Sequence, residues 1–302
     1  MNTRSMLKAG EADVIPISGS KVKEVQEAGF RLIANPGAYY LLVGLGGQVL
    51  PTRAGYDAKS PWASDENPER SRMVREALCL AIDKQEIMER VLYGTATPFA
   101  VQQFYPTGPY VKADWKPYGS DPEKAKELLA KAGYPNGFGR PITMLINNEM
   151  SPEAAELAEV VAMYWEMIGL NVERRVIDAP VFRKEWYSRG PLQRMGAFIL
   201  ASTPLFDPLD WYALAADVNS SINQLFESGA MSALVAKALA ETDPKLRDEL
   251  RSQLGDMVYD NFMTCPIALQ SAIYAVSDRV AGWKTNSSNK YLHNLEYIEA
   301  SK

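Results

Sequence analysis

The sequence contains few residues whose types and spacing could support catalysis. The chain has a single histidine, His293, and no cysteine lies near it in the sequence. A His/Cys metal cluster, or a Cys–His dyad that draws on several histidines, is therefore excluded. A Ser-His-Asp triad would need a Gly-x-Ser-x-Gly elbow, and this motif is absent. The Gly-Leu-Gly-Gly segment at 44–47 lacks the Lys-Ser/Thr ending of a phosphate-binding loop. These residues predict a protein that is not an enzyme and that carries neither metal nor cofactor.

Composition is typical of a globular protein with room for two domains. The chain has 302 residues, of which 47% are hydrophobic and 23% are charged. A net charge of −5 without a basic stripe argues against nucleic acid as a partner. No apolar run approaches the roughly 20 residues of a membrane-spanning helix. The first residues also lack the apolar segment and cleavage site of a secretion signal, so we expect no signal peptide in this chain.

Apolar periodicity predicts an alternation of helices and strands. Residues 68–92 predict two consecutive helices. Residues 120–138 predict a helix that Asp121 caps and Gly133 terminates. Residues 142–177 contain a strand, a helix and a second strand within the length of a βαβ unit, which predicts a parallel strand pair.

The two ends of the chain are expected to be strand-rich. Short strands are predicted at 12–17, 31–34, 39–43 and 267–276. The stretch 48–67 is rich in Pro, Gly, Ser and Asp and predicts a loop. A helix is predicted to begin at Asp243 and Pro244. Cys79 and Cys265 are interpreted as small core residues, and a disulfide between them remains an alternative.

Four of these segments, in the same order along the chain, resemble segments of one receptor family. They are 68–92 with Val-Arg-Glu-Ala-Leu and Ala-Ile-Asp-Lys, 120–138 with Asp-Pro-Glu-Lys-Ala and Ala-Gly-Tyr, 155–177 with Ile-Gly-Leu-Asn-Val-Glu, and 197–208 with its final Asp-Pro. The sequence resembles the family 5 extracellular solute-binding proteins, which are the receptors of oligopeptide, dipeptide and nickel ABC importers.

The resemblance implies an α/β fold of periplasmic-binding-protein-like type II lobes, with mixed sheets flanked by helices. Residues 7–15 resemble a segment that the family carries near mid-sequence, so the first lobe is expected to be incomplete. The implied organisation is a partial first lobe at 1–62, an α/β lobe at 63–261, and a return to the first lobe at 262–302.

The same resemblance implies a function in transport. Such receptors capture a solute in the cleft between two lobes and deliver it to the permease subunits in the membrane. It places the protein in the periplasm, or outside the cell in association with the membrane. An alternative is a truncated lobe that acts only as a protein-interaction module and binds no solute.

The expected ligand is a peptide or an oligosaccharide-like molecule. Peptide-binding members carry an aspartate, four residues before the proline of the Asp-Pro turn, that pairs with the peptide amino group. In this sequence Pro204 occupies that position, which weakens the peptide interpretation, although Asp207 could take the role. Hydroxyls, aromatic rings and a carboxylate around this turn also suit a sugar, whose faces stack on rings.

Eight residues are the candidate ligand contacts, selected for rings, hydroxyls or a carboxylate near the implied cleft. They are Tyr40, Trp62, Trp186, Ser202, Thr203, Phe206, Asp207 and Trp211. For Trp186 and Trp211 the alternative is simple packing within the lobe, and for Trp62 it is an interface.

Overall fold

A computed structural model describes most of the chain. The described residues are 3–53, 55–63, 66–147, 151, 153–188, 196–204, 207–216, 228–285 and 294–301, and side chains are not described at 3, 4, 185–188 and 216.

A mixed sheet forms the centre of the described structure. Its seven strands are β1 (Val14–Ile17), β2 (Arg31–Leu45), β3 (Ala96–Thr97), β4 (Ile142–Ile146), β5 (Val172–Val176), β6 (Gly196–Ser202) and β7 (Cys265–Val276). The spatial order is β1-β7-β2-β6-β4-β5, and β3 also pairs with β7. A separate antiparallel pair consists of β8 (Val280–Trp283) and β9 (Ile298–Ala300).

Strand directions in this sheet change at β6. The strands β4, β5 and β6 are parallel, which confirms the predicted parallel pair within 142–177. The strands β1, β2 and β7 join them through antiparallel pairing. Strands from all three predicted segments of the chain therefore share one sheet, and the boundaries between those segments stay a prediction. The carboxyl ends of β4 and β6 meet at one edge, where open α/β sheets commonly bind ligands.

Strand β2 is longer than the sequence predicted. Two separate strands were expected at 31–34 and 39–43, whereas Arg31–Leu45 is one strand with a register shift between Asn35 and Tyr39. The intervening Gly37 has a φ of 64°, and the Tyr105 ring occupies the space that a Cβ there would need. The prediction was wrong because β7 pairs on both sides of this bulge and keeps the strand continuous.

The helices flank the sheet. They are α1 (Thr3–Lys8), α2 (Val22–Glu27), α3 (Pro68–Leu80), α4 (Lys84–Glu86, continued by a π-helical turn at Ile87–Val91), α5 (Pro122–Lys131), α6 (Ala154–Met167), α7 (Ala179–Ser188), α8 (Pro208–Ala216), α9 (Gly229–Ala240) and α10 (Pro244–Asp260). The predicted caps of α5 are confirmed, since the Asp121 carboxylate accepts a hydrogen bond from the Lys124 N–H at 2.9 Å and Gly133 has a φ of 90°.

Alternating side chains of β2 separate two parts of the core. Tyr39 and Leu41 belong to the cluster that also contains α3, α5 and α6. Tyr40 and Leu42 point to the opposite face and pack against Phe99. This alternation follows from the two-residue period of a strand. A further cluster joins α8, α9 and α10, around residues such as Phe104, Tyr212 and Leu254.

Candidate ligand-binding site

A band of buried polar side chains crosses the sheet at the edge where β4 and β6 end. Asn147 follows β4 directly, and Ser202 is the last residue of β6. The next strand in the sheet, β2, contributes Tyr40, whose register partner is Ser202. Beyond it, β7 contributes Gln270, which is the partner of Tyr39 and therefore lies on the opposite face of the sheet from Tyr40. Polar groups from three neighbouring strands therefore meet at this edge, and Gln270 lies behind them on the other face.

Hydrogen bonds from one side chain hold the loop after β3 against this edge. The Gln103 amide donates hydrogen bonds to the Ser202 hydroxyl at 2.9 Å and to the Thr203 carbonyl at 3.3 Å. The backbone of Gln103 has a φ of 65°, a region that residues other than glycine seldom occupy. Such strain persists only where the surroundings hold it, and it is enriched at functional sites.

Aromatic side chains pack beneath the loop. The Tyr40 and Phe99 ring centroids lie 4.8 Å apart. The Tyr212 hydroxyl donates a hydrogen bond to the Gln102 carbonyl at 2.9 Å, which ties α8 to the same loop. Burial raises the pKa of Tyr40 and of Tyr212 well above the ordinary value for tyrosine. Both hydroxyls therefore stay neutral at physiological pH.

Several buried polar atoms near this edge have no hydrogen-bond partner among the described residues. Tyr40 Oη and Gln102 Nε2 belong to the band, Glu153 Oε2 and Gln270 Oε1 lie on the Tyr39 face of the sheet, and Ser151 Oγ precedes α6. A buried polar atom without a partner costs about 1–3 kcal/mol. Native structures concentrate such atoms where a ligand or an ordered water meets them. The band therefore has the chemistry of a recognition surface.

Glu153 lies in the loop before α6, on the Tyr39 face of the sheet. Its Oε1 accepts a hydrogen bond from the Gly19 N–H at 3.1 Å. Burial first, and the Glu153 carboxylate second, raise the pKa of the Tyr39 hydroxyl above its ordinary value. This electrostatic effect places the Glu153 carboxylate near Tyr39, the residue whose register partner is Gln270.

Asp207 has a different environment. Its carboxylate accepts a hydrogen bond from the Leu209 N–H at 2.9 Å at the start of α8, and Arg251 of α10 binds it with both Nε, at 3.0 Å, and Nη2. Burial alone would raise the pKa of Asp207, but these hydrogen bonds outweigh it and hold the pKa below its usual value. Arg251 thus neutralises the acid that the sequence offered as an alternative anchor for a peptide amino group.

The structure brings three of the predicted contact residues together, namely Tyr40, Ser202 and Thr203. Trp62 lies in the core cluster that contains Tyr39 and Leu41, so it belongs to the opposite face of the sheet from Tyr40. It is fully buried, and its indole N–H donates to the Gly46 carbonyl at 2.8 Å. We therefore leave Trp62 out of the site.

The other predicted contact residues lie apart or outside the description. Trp211 packs with the helices α8 to α10, and its Nε1 is buried without a partner among the described residues. Phe206 and the side chain of Trp186 lie outside the described residues. The ligand role of every predicted contact residue stays a prediction.

Sequence reasoning missed Gln102, Gln103, Glu153 and Gln270. A signal existed for three of them. Gln102 and Gln103 interrupt an apolar run at 99–104, and Gln270 interrupts the otherwise largely apolar strand β7. A polar residue inside a buried segment needs a partner, which makes such interruptions informative. Glu153 gave no such signal, because an acid at the start of a helix is ordinary.

Two grooves lie among the described residues, the first against the loop after β3 and the second beside α6. One, of about 380 Å³, is lined by Phe99, Phe104, Trp115 and neighbouring prolines. The other, of about 280 Å³, lies between the π-helical turn and α6 and is lined by Met163 and Met167. Neither lining includes Ser202 or Glu153.

The described residues contain no group of three or more His, Cys, Asp or Glu residues that could hold a metal ion. None of the helices in this part of the chain is long and apolar enough to cross a membrane.

Comparison with protein families decides what kind of protein carries this fold. The family of bacterial extracellular solute-binding proteins, family 5 Middle, matches residues 1–224. The chain belongs to this family. The resemblance drawn from the four segments is confirmed, and so is the prediction of a binding protein that is not an enzyme, because family 5 consists of solute-binding receptors.

This chain aligns with only part of the length of individual family 5 relatives. Heme-binding protein A of Haemophilus influenzae is 29% identical over 70% of this chain and 38% of its own. Glutathione-binding protein GsiB of Escherichia coli is 26% identical over 72% of this chain and 43% of its own. The chain thus spans about two fifths of the length of these curated relatives.

A solved structure confirms the predicted fold class. The periplasmic binding protein DppA from Helicobacter pylori, solved in complex with the peptide STSA, superimposes with a TM-score of 0.76 at 20% identity. The alignment covers 99% of this chain and 55% of DppA. The mixed sheet with flanking helices is therefore the periplasmic-binding-protein-like fold that the sequence predicted.

Proposed function

We propose that this family 5 protein is the solute-binding component of an ABC importer and that the polar band holds a peptide. The observation that carries the proposal is the set of buried, unpaired polar atoms at the carboxyl edge of the sheet. A ligand that completes their hydrogen bonds gains binding free energy there.

The chemistry of the band favours a peptide over an oligosaccharide. Gln102 offers an amide donor, and the Tyr40 hydroxyl can donate or accept. A peptide backbone presents the complementary N–H and C=O groups. A sugar would need a free ring face for stacking, but Tyr40 and Phe99 are 0% and 3% exposed and pack against each other. The relative named for glutathione and the neighbour solved with STSA agree with this choice.

Transport follows from the family and the shape of the site. We propose that the band is one wall of an interlobe cleft, and that closure around the peptide creates the form that docks on the membrane permease. The partial first lobe at 1–62 and the return segment at 262–302 would then carry the hinge side of the cleft. The proposed location is the periplasm or the outer face of the membrane, as for an extracellular family.

Thermal unfolding with candidate ligands tests the proposal. A ligand that binds only the native state raises its apparent stability. We expect di- to pentapeptides to raise the Tm of the protein and oligosaccharides of similar size to leave it unchanged. Calorimetric titration then measures the Kd of the best peptide.

A matched pair of variants tests whether the peptide binds at the band. Tyr40→Phe removes the unpaired buried hydroxyl, and we expect it to weaken peptide binding about fivefold, the worth of one hydrogen bond. Tyr297→Phe makes the same change on a ring that is 55% exposed, and we expect no effect. A rise in Tm with oligosaccharides alone, or equal Kd values in both variants, would contradict the proposed site.

A second candidate function is protein interaction without solute binding. The groove beside α6 favours it, because Met163 and Met167 are exposed large apolar side chains. A folded protein whose Tm no peptide or oligosaccharide changes would support this alternative.

A further inference from the structure

Two cysteines that are distant in the sequence meet inside the core. Cys79 lies in α3 and Cys265 begins β7, and their exposed fractions are 1% and 3%. The Cys79 Sγ lies 3.8 Å from the carbonyl oxygen of Thr264, the residue directly before Cys265 and 185 positions after Cys79. The two side chains also share a hydrogen bond. The fold therefore brings the two thiols of the chain into contact.

Contact between two thiols is the condition for a disulfide. Such a bond forms only between cysteines whose side chains point towards each other at close range. The sequence could not show whether this pair meets the condition, because the two residues belong to separate elements. In the structure both are free thiols that lie within hydrogen-bonding reach of each other.

A buried cation lies beside the pair. Lys84 is 7% exposed, and its ammonium group donates hydrogen bonds to the carbonyl oxygens of Cys79 at 2.6 Å and Ile82 at 3.2 Å. No ion pair is found for it among the acids that the structure describes. A positive charge next to a cysteine favours the thiolate, which is the form that attacks another sulfur.

The two thiols differ in how easily they lose a proton. Burial first, and the hydrogen bond with Cys265 second, raise the pKa of Cys79 well above its ordinary value. Burial alone would raise the pKa of Cys265 too, but the hydrogen bond with Cys79 and the charge of Lys84 outweigh it and lower that pKa. Cys265 is therefore the better nucleophile of the pair once α3 and β7 have come together.

We propose that Cys79 and Cys265 form a disulfide that joins α3 to β7 when the protein folds in an oxidising compartment. The proposed location in the periplasm or at the outer face of the membrane supplies such a compartment, where disulfides form and persist. The bond links a helix of the predicted lobe at 63–261 to the predicted return segment at 262–302. It concerns the fold of the receptor and is independent of which solute binds.

The bond forms by exchange with an oxidant that is itself a disulfide, such as oxidised glutathione. The Cys79 thiolate attacks one sulfur of the oxidant, which gives a mixed disulfide and releases the other sulfur as a thiolate. The Cys265 thiolate then attacks the Cys79 sulfur and displaces the second oxidant sulfur. The protein loses two electrons and two protons, and the oxidant becomes two thiols. Because both cysteines are buried in the folded protein, the exchange takes place while α3 and β7 are still packing together.

Counting free thiols tests the proposal directly. The reduced, unfolded protein is refolded in a mixture of reduced and oxidised glutathione, its folding is checked by circular dichroism, and it is then unfolded in a maleimide reagent. We expect the intact mass to show no maleimide adduct and the loss of two hydrogen atoms. The same sample should carry two adducts if it is reduced before labelling. Two adducts without that reduction, or a cysteine that retains glutathione, would overturn the disulfide.

Thermal unfolding with and without a reductant measures the effect of the bond. A cross-link that closes a long loop stabilises a protein mainly by restricting its unfolded chain. We expect reduction to lower the Tm of the wild-type protein by about 5–10 °C. Cys79→Ala and Cys265→Ala each abolish the bond, so both variants should unfold below the oxidised wild type and neither should respond to the reductant. A reductant that leaves the wild-type Tm unchanged, or lowers the Tm of the variants equally, would contradict the proposal.

The double variant separates a disulfide from simple packing. Either single substitution already removes the whole bond, so the loss of Tm in the double variant should be clearly smaller than the sum of the two single losses. Two thiols that only fill space in the core would give losses that add. Additive losses would therefore count against the bond.

Peptide binding gives an independent measurement. Both cysteines belong to the core cluster of Tyr39, on the opposite face of the sheet from Tyr40. We therefore expect a peptide that raises the Tm of the wild-type protein to raise that of Cys79→Ala equally. Free thiols in a refolded protein that binds peptides overturn this inference alone. An oxidised protein that binds no peptide supports the disulfide and overturns the proposed function alone.

Discussion

Asp207 and Glu153 are both acids at the start of a helix, yet the fold compensates their charges differently. Arg251 and the Leu209 N–H satisfy Asp207, which leaves it no unpaired charge. Glu153 keeps an unpaired oxygen beside Tyr39. The sequence could not separate the two, because the partner of Asp207 lies 44 residues away and the isolation of Glu153 depends on the fold.

The Asp207–Arg251 pair predicts a pH-dependent contribution to stability. Since the folded-state pKa of Asp207 lies below its unfolded value of about 3.9, the stabilisation is present above that unfolded value and is lost as the pH falls through the folded pKa. We expect Asp207→Asn to lower the free energy of unfolding by about 1–3 kcal/mol at pH 7. The difference from wild type should shrink below about pH 4.

Urea unfolding at pH 7, 5 and 3 measures this effect. Asp210→Asn is the control, because Asp210 is exposed in the first turn of the same helix. A difference between Asp207→Asn and wild type that stays constant over the three pH values would contradict the account.

At the scale of single elements, β2 shows where local patterns stop being sufficient. From the sequence, the glycine-rich segment at 44–47 could only be distinguished from a phosphate-binding loop. The structure instead places Gly44 inside β2, opposite Phe198 of β6, whose ring lies over the glycine. A Cβ at position 44 would collide with that ring, so the glycine serves packing between strands.

This arrangement predicts the effect of adding one methyl group. Gly44→Ala should lower the free energy of unfolding by about 1–3 kcal/mol, because Phe198 must move within a packed core. Gly119→Ala adds the same group at a position with no heavy atom within 4 Å and should change stability little. Urea denaturation compares the two variants. Equal stabilities would show that the sheet accommodates the methyl group and would contradict this reading of Gly44.

Elements differ in how far the sequence alone could predict them. The helices α3, α5, α6 and α10 were predictable because their apolar periods and caps are local; Asp243, for example, accepts the Lys245 and Leu246 N–H groups that begin α10. The continuity of β2 and the strained Gln103 were not, because both depend on partners in β6 and β7.

At the scale of the whole molecule, the fold could be predicted from the sequence more fully than the site. Family and fold class were predictable because four segments, each recognisable from its own local sequence, occur in the order that the family shows. The polar band was only partly predictable. It combines Tyr40, Gln103 and Ser202, which are distant in sequence and meet only after the sheet has formed.

The most direct test of the central claim is hydrogen–deuterium exchange of backbone amides with and without the peptide that raises the Tm most. A peptide on the polar band should slow exchange in the loop at 98–104 and at 202–204, since Gln103 joins these segments. The groove at 86–91 and 160–167 should exchange unchanged. Protection confined to that groove, with none at 98–104, would contradict the account.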